Sequence, residues 1–350
     1  MGASSPRVQS DRIRPALATC LLIAAQLVVW LVVRRHLVVD GDWLQFAIRP
    51  DQPGVTGVLT GPFIHLEPAH LGVNLVVLWL FGANLERAIG SLSFLAIYLG
   101  AAAVASLMHW AVGVAFQLYP EGVGAAVGSS GAVAGVLGAV WVRLPQSRLG
   151  VPLLRWWTFP TTPLFALWLA YTLLQAILGT VQGVSHGIGH WAHFAGFTLG
   201  LGGAQLLGMP RAARIEYLIE AAERATRTNN LIAAAQAWSA LLSLRPADLQ
   251  VRTALVSTRL AMEDHAGARR LAREGVESPT RAHQRRAALE AYRALRPLIP
   301  EMRLHPGLRY RLGCWLAEEG EGEFAIRTLL ESMREDGATP ASASALFRAG

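Results

Sequence analysis

The chain has 350 residues, 53% of them hydrophobic and only 16% charged, with a mean hydropathy of +0.35. Soluble globular proteins carry about 25% charged residues, so these totals exclude an ordinary soluble enzyme and point to a membrane. All 31 basic residues are arginine, which rules out a lysine base or Schiff base. The net charge of +7 is no nucleic-acid footprint, because the arginines of the second half alternate with acids.

Charge divides the chain. Of the 55 charged residues, 38 lie between Met209 and Gly350 (21 Arg, 17 Asp or Glu). The pattern predicts a cytoplasmic tail over 1–14, a membrane domain over 15–208 and a soluble helical domain over 209–350. Six stretches are apolar and near the ~20 residues that cross a bilayer: Pro15–Val33, Leu71–Leu85, Leu92–Leu118, Gly124–Val142, Thr162–Val181 and Gly189–Gly208. The expected fold class is an all-α membrane protein with a six-helix transmembrane core. The first stretch has too few small residues at its end to read as a cleaved signal peptide.

Orientation follows from the arginines. Arg7, Arg12 and Arg14 precede span 1, Arg87 follows span 2, Arg143, Arg148 and Arg155 follow span 4, and Arg211 and Arg214 follow span 6. All fall on one side, whereas the other side receives Glu121, an uncharged Val181–Ile188 loop and a mixed first loop carrying Arg34, Arg35 and Arg49 against Asp40, Asp42, Asp51 and Glu67. The positive-inside rule therefore puts both termini in the cytoplasm, with the plasma (inner) membrane as the expected location. Trp156 and Trp157 stand where an interfacial belt is expected. Cys20 and Cys314 fall in different halves, so neither a disulfide nor a cysteine metal site is expected.

Polar residues inside spans are costly and mark function by default. His65, His70 and Asn74 open span 2, Gly128-Ser129-Ser130-Gly131 opens span 4, and His190-Trp191-Ala192-His193 opens span 6. Residues 70 and 74 share one helix face, and their N–H donors suit an oxyanion. Gly128, Gly131, Gly135 and Gly138 give span 4 a smooth face, and Ala192, Gly196 and Gly200 give span 6 another. Such faces let helices approach closely, and their meeting would bring His193 to Ser130. A serine paired with a histidine is a nucleophile with its own base, which is the chemistry of acyl transfer. Any one of these signals is commonplace; a glycine-serine stretch usually serves packing.

Taken jointly, the motifs resemble the rhomboid family over residues 15–208. His65-x4-His70-x3-Asn74, Gly82-x3-Glu86-x3-Gly90, Gly128-x-Ser130-Gly131 and Ala192-His193-x2-Gly196-x3-Gly200 occur in that family's order. The resemblance implies an intramembrane serine endopeptidase that takes single-span membrane-protein substrates sideways from the lipid bilayer, with no metal or cofactor. Ser130 is then the nucleophile and His193 the base. His70, Asn74 and the Ser130 N–H form the oxyanion hole, His65 is a polar support, and Glu86 holds the cytoplasmic end of span 2. Span 5, preceded by Pro160 and carrying Pro163, is the implied lateral gate. Two departures stand out. Thr56 and Gly57 replace a Trp-Arg pair of the first loop, and Ala134 replaces an aromatic that stacks on the base in some members.

Rival readings are a metal site on His186, His190 and His193, a transporter, and a catalytically silent rhomboid-like binding or quality-control module. The metal site lacks a His-Glu-x-x-His and any nearby carboxylate, and the spans show no broken-helix inverted repeat. A silent module predicts loss of the serine or the histidine, and both are present.

Beyond residue 209, Ala234 and Ala268 lie 34 residues apart in similar surroundings, which resembles tetratricopeptide repeats; a generic helical bundle is the alternative. A third partial match, Gly320 to Ala325, is out of phase. Helical repeats commonly recruit proteins, so residues 215–350 could bind a cytoplasmic partner or substrate tail; a stability or assembly element is the equal alternative.

Overall fold

The computed structural model describes residues 15–36, 42–50, 54–117, 124–151, 154–183, 189–336 and 345. The expected 1–14 tail, Glu121, His186 and most of the Val181–Ile188 loop lie outside them. The chain divides into two compact units, one ending at Ala213 and the other running from Arg214, each described below by itself.

The first unit is mostly helical. Helix α1 (Leu17–His36) is followed by a 3-10 turn (Asp42–Phe46), a short α2 (Val55–Thr60) and α3 (Pro68–Val77). Helix α3 passes through a π-helical turn, Leu78–Gly82, into α4 (Ala83–Ile89). Next come α5 (Ser91–Phe116), α6 (Ser130–Arg143), α7 (Thr161–Gln182) and α8 (His190–Leu206). Among the described residues, three segments are long and apolar enough to cross a membrane: Pro68–Ile89, α5 and α7. The apolar part of α1 is shorter, as are α6 and α8.

Two local features differ from the sequence reading. The α6 stretch was expected from Gly124, yet the helix begins at Ser130. Before it, Ala126 is drawn into a β-bridge with Ile48 of the first loop, and the Gly128 N–H donates to the Gly61 carbonyl (2.9 Å). Gly128 then adopts φ +118°, which stops a helix from starting earlier. The connection from α6 to α7 is a β-hairpin, β1 (Arg148–Val151) against β2 (Leu154–Pro160), carrying Trp156 and Trp157 on β2.

Helix α6 is the centre of the unit, and small residues set how closely its neighbours approach. A Cβ placed on Gly131 would lie 2.4 Å from Ala105 Cβ, and one on Gly135 2.3 Å from Ala101 Cβ, both on α5. From α8, a Cβ on Gly196 would meet the Gly131 carbonyl oxygen at 2.1 Å, and one on Gly200 the Gly135 oxygen at 1.8 Å. In lipid, helices gain no hydrophobic stabilisation from meeting, so this near-backbone contact provides the dispersion that holds α5, α6 and α8 together.

Glu86 fixes the opposite end. Its carboxylate accepts from the N–H groups of Ala18 (2.9 Å) and Thr19 (2.8 Å), the Thr19 hydroxyl (2.7 Å) and the Ser91 hydroxyl (2.6 Å). The first two donors belong to the first turn of α1 and have no intrahelical acceptor. One buried side chain therefore caps α1 and ties it to the α4–α5 turn.

The second unit holds most of α9 (Met209–Arg227), followed by α10 (Leu231–Leu244), α11 (Leu249–Ala261), α12 (His265–Arg281), α13 (Arg285–Leu295), α14 (Pro306–Glu318) and α15 (Gly322–Asp336). Its turns repeat a device. Asn229, Glu263 and His283 have positive φ, and Asn230 and Asp264 then cap the next helix through Ala233 N–H and Gly267 N–H. Ala234 and Ala268, the pair 34 residues apart, are both fully buried one turn after those caps.

Candidate active site

Ser130 is the first residue of α6. Its helix is closed by the Val133 N–H donating to the Ser129 carbonyl (2.9 Å), so the amides of Ser130, Gly131 and Ala132 precede the first intrahelical bond and point out of the helix end. That end also carries the positive pole of the helix dipole. His193 lies in the first turn of α8. The α6–α8 glycine contacts bring its Nε2 to 2.8 Å from Ser130 Oγ. The two side chains are thus in hydrogen-bond contact although 63 residues separate them.

His70 and His65 flank this pair. The His70 ring fills the space beside Gly128, where a Cβ would lie 2.7 Å from His70 Cε1. Gly128 is therefore required twice, for its φ and for the room it leaves. The His65 and His70 rings meet edge to face at 5.3 Å. His65 Nε2 accepts from the Ser129 N–H (3.2 Å) and lies 3.3 Å from Ser129 Oγ. An acceptor at Nε2 places the proton of a neutral ring on Nδ1.

Asn74 is buried, and its Nδ2 is spent locally. It donates to the His70 carbonyl (3.0 Å) and reaches His65 Nε2 at 3.3 Å. Among the described residues, neither Asn74 nor His70 hydrogen-bonds the Ser130 side chain. The expected pair of convergent donors is therefore divided: His70 faces the turn before the serine, while Asn74 braces both histidines.

Several residues given no role in the sequence reading belong to the site. Ser129, fully buried, bridges His65 to the Tyr98 hydroxyl, which in turn accepts from Gln26 Nε2 (3.2 Å). This polar chain joins α1, α5, the start of α6 and the start of α3. On α5, Ser106 and His109 line a cavity of about 50 Å³ together with Ser130, His193 and Gly189, and His109 Nε2 contacts the Gly124 carbonyl at 3.1 Å. Their i, i+3 spacing inside an apolar span was the available signal.

The most informative addition is Trp168 on α7. Its ring centroid lies 5.9 Å from that of His193 at an interplanar angle of 38°, and 6.1 Å from Phe197. An aromatic ring from another helix thus lies beside His193 although position 134 is alanine. Helix α7 also contacts the α8 start through Trp191 Nε1, which donates to Thr180 Oγ1 (2.9 Å), and the π turn through Phe165 against Phe81 (5.2 Å).

In the first loop, the position-57 departure has a structural counterpart. A Cβ on Gly57 would sit 2.2 Å from the Ala47 carbonyl oxygen, and the Thr60 hydroxyl donates to the Phe46 carbonyl (2.8 Å). Close backbone contact holds this loop. No group of three metal-ligating side chains occurs among the described residues, which do not include His186.

Residues 52–209 match a family model described as the Rhomboid domain. The chain is 29% identical over 144 residues to the mitochondrial presenilin-associated rhomboid-like protein of Bos taurus, covering 41% of this chain and 36% of that one. It is 28% identical over 121 residues to the mitochondrial Rhomboid protein 1 of Saccharomyces cerevisiae, covering 34% and 32%. Against the Rhomboid protease GluP of Bacillus subtilis it is 32% identical over 114 residues, covering 32% and 18%. The chain thus spans about a third of the first two relatives and less than a fifth of the third. These matches support the rhomboid family for the membrane half, and with it an integral membrane protein of a protease family.

Proposed function

We propose that this rhomboid-domain protein is an intramembrane serine endopeptidase working through a Ser130–His193 dyad. The observation that carries the reading is the 2.8 Å contact between His193 Nε2 and Ser130 Oγ at the start of a short helix. Ser130 Oγ attacks the scissile carbonyl while His193 Nε2 takes its proton. The tetrahedral oxyanion is held by the Ser130 and Gly131 amides and by the His70 ring, with Asn74 and His65 fixing His70. His193 then passes its proton to the leaving amine, and water hydrolyses the acyl-enzyme. A cavity of about 50 Å³ beside the dyad has room for such a water. No metal or cofactor has a part in these steps.

Helix α6 has 14 residues, a rise of about 21 Å against the ~30 Å of a bilayer core. That length supports a site recessed below the membrane surface, within a six-span core whose termini face the cytoplasm. The location stays as read from the arginines, the plasma (inner) membrane; two of the matched relatives bear mitochondrial names. Substrates are single-span membrane proteins, admitted where α7 parts from the body. Residues 215–350 form a tetratricopeptide-like domain that recruits a cytoplasmic protein; the 34-residue recurrence of cap and buried alanine supports this.

The test is cleavage of a model single-span substrate by the purified protein in lipid. Wild type should cut in the presence of a chelator, whereas Ser130→Ala and His193→Ala should not. Failure of the wild type to cut any of several substrates or to take a serine-reactive probe would instead identify a silent binding module.

A further inference from the structure

The second unit contains a concavity of about 900 Å³, formed by α12, the α13–α14 connection, α14 and α15. Of the twelve described residues that line it, seven are arginine, two are glutamate and none is aromatic. We propose that this concavity is a docking site for an acidic peptide segment of a protein partner. The inference builds on the reading of residues 215–350 as a recruiting domain and is independent of the Ser130 chemistry.

The charge is concentrated and only partly neutralised. At the base, Arg309 is buried and donates to the Leu304 (2.9 Å) and Glu331 (3.1 Å) carbonyls, which fixes its guanidinium. Arg296 takes the Glu331 carboxylate (2.5 Å), and Arg269 takes Glu301 at 3.7 Å. Arg273, Arg303 and Arg334 have no carboxylate partner among the described residues. Elsewhere in the unit arginines are matched by acids, as in Arg285 with Glu318 and Glu319, or Arg286 with Glu290. Leaving several guanidinium groups unmatched around one hollow is costly in mutual repulsion, and a polyanionic occupant would relieve it.

Shape and chemistry select the occupant. The volume lies within the range of ligand-binding clefts and exceeds the needs of a single phosphate. A flat anionic membrane surface cannot reach a guanidinium at the base of a hollow. Single-stranded nucleic acid relies on aromatic stacking platforms, and the described lining residues offer none. An extended chain bearing several carboxylates can enter, and planar guanidinium groups suit bidentate carboxylate binding.

The experiment uses the full chain in detergent with Ser130→Ala, so that cleavage plays no part. Fluorescein-labelled octaglutamate is titrated and followed by anisotropy. Saturable binding is expected, weakening as salt is raised. The triple reversal Arg273→Glu, Arg303→Glu, Arg334→Glu should raise Kd by at least about tenfold. A triple reversal of equal charge outside the hollow, Arg227→Glu, Arg286→Glu, Arg327→Glu, should leave it within about twofold. If the pocket triple melts early, Arg273→Gln with Arg303→Gln replaces it, with an expected loss of about threefold. No saturable binding, equal loss in both triples, or an octathymidine probe binding as tightly would each overturn the proposal. Cleavage of a model substrate by the same preparation with Ser130 restored scores the protease reading separately.

Discussion

Replacing Gly196 by alanine adds one methyl group to the contact that brings His193 to Ser130. The new Cβ would lie 2.1 Å from the Gly131 carbonyl oxygen, about 1.3 Å short of ordinary contact at 3.4 Å. Both helices are backbone-rigid there, so α6 and α8 must part by roughly 1 Å. Gly131 adjoins Ser130, and Gly196 is one turn from His193, so the separation reaches the dyad almost undiminished. A 2.8 Å hydrogen bond opened by that much is no longer one. Misplacement of about 1 Å costs on the order of a hundredfold in rate, and overpacking costs roughly 1–3 kcal/mol of stability. The assay is single-turnover cleavage in proteoliposomes, with serine-probe labelling and thermal denaturation alongside. Gly202→Ala is the control, because a Cβ there meets nothing within 4 Å, and its rate should stay within about twofold. Gly196→Ala with wild-type rate and melting temperature, or Gly202→Ala equally impaired, would refute the packing argument.

Other perturbations separate orientation from chemistry. Trp168→Ala should lower kcat by about two- to tenfold, the worth of one aromatic contact, with KM little changed and the acid limb of the pH profile displaced; Trp168→Phe should restore most of it. Glu86→Ala leaves two first-turn amides and two hydroxyls of α1 and α5 without their acceptor and should destabilise the membrane unit by about 3 kcal/mol or more, read as the urea or thermal midpoint in micelles. Cleavage should fall as pH drops and His193 takes a proton, since imidazolium accepts none from Ser130; a rate rising toward acid would contradict a histidine base. In the second unit, the Gly267 N–H and the Arg259 guanidinium hold the Asp264 carboxyl below its ordinary range. Its stabilisation is therefore present above about pH 4 and is lost as pH falls through the lowered value, so Asp264→Asn should flatten acid unfolding of this unit, followed by circular dichroism.

How much of this was legible in sequence depended on how local the physics was. The Ser130–His193 contact was readable because a serine between glycines and a histidine on a small-residue face are costly in lipid unless used, and four motifs stood in register. The start of α6 was not. Hydropathy runs unbroken from Gly124, and only the pairing of Ala126 with Ile48, 78 residues away in sequence, shows that the segment is extended. The division of labour between His70 and Asn74 was hidden for a similar reason. Both lie on one face, yet the Asn74 amide meets the His70 carbonyl and His65 before it can reach the serine. Composition named the arginines of the second unit, while their convergence on one hollow needed the packing of α12 and α15 against α14.

The replacement of a stacking aromatic at Ala134 by Trp168 changes what motion of α7 would mean. An aromatic on α6 moves with Ser130 and holds the base whether or not α7 shifts. Trp168 moves with α7, so if α7 is the gate, displacing it would also withdraw the ring from His193. The base is then least constrained while the path is open and best oriented after α7 returns over a bound segment. The Trp191–Thr180 hydrogen bond at the start of α8 belongs to the same contact and gives a second handle on it. If entry and orientation are coupled in this way, Trp168→Ala and Thr180→Val should be non-additive, with a double mutant no slower than the worse single one. Multiplicative losses in single-turnover rate would show instead that α7 guards the path and orients the base through separate contacts.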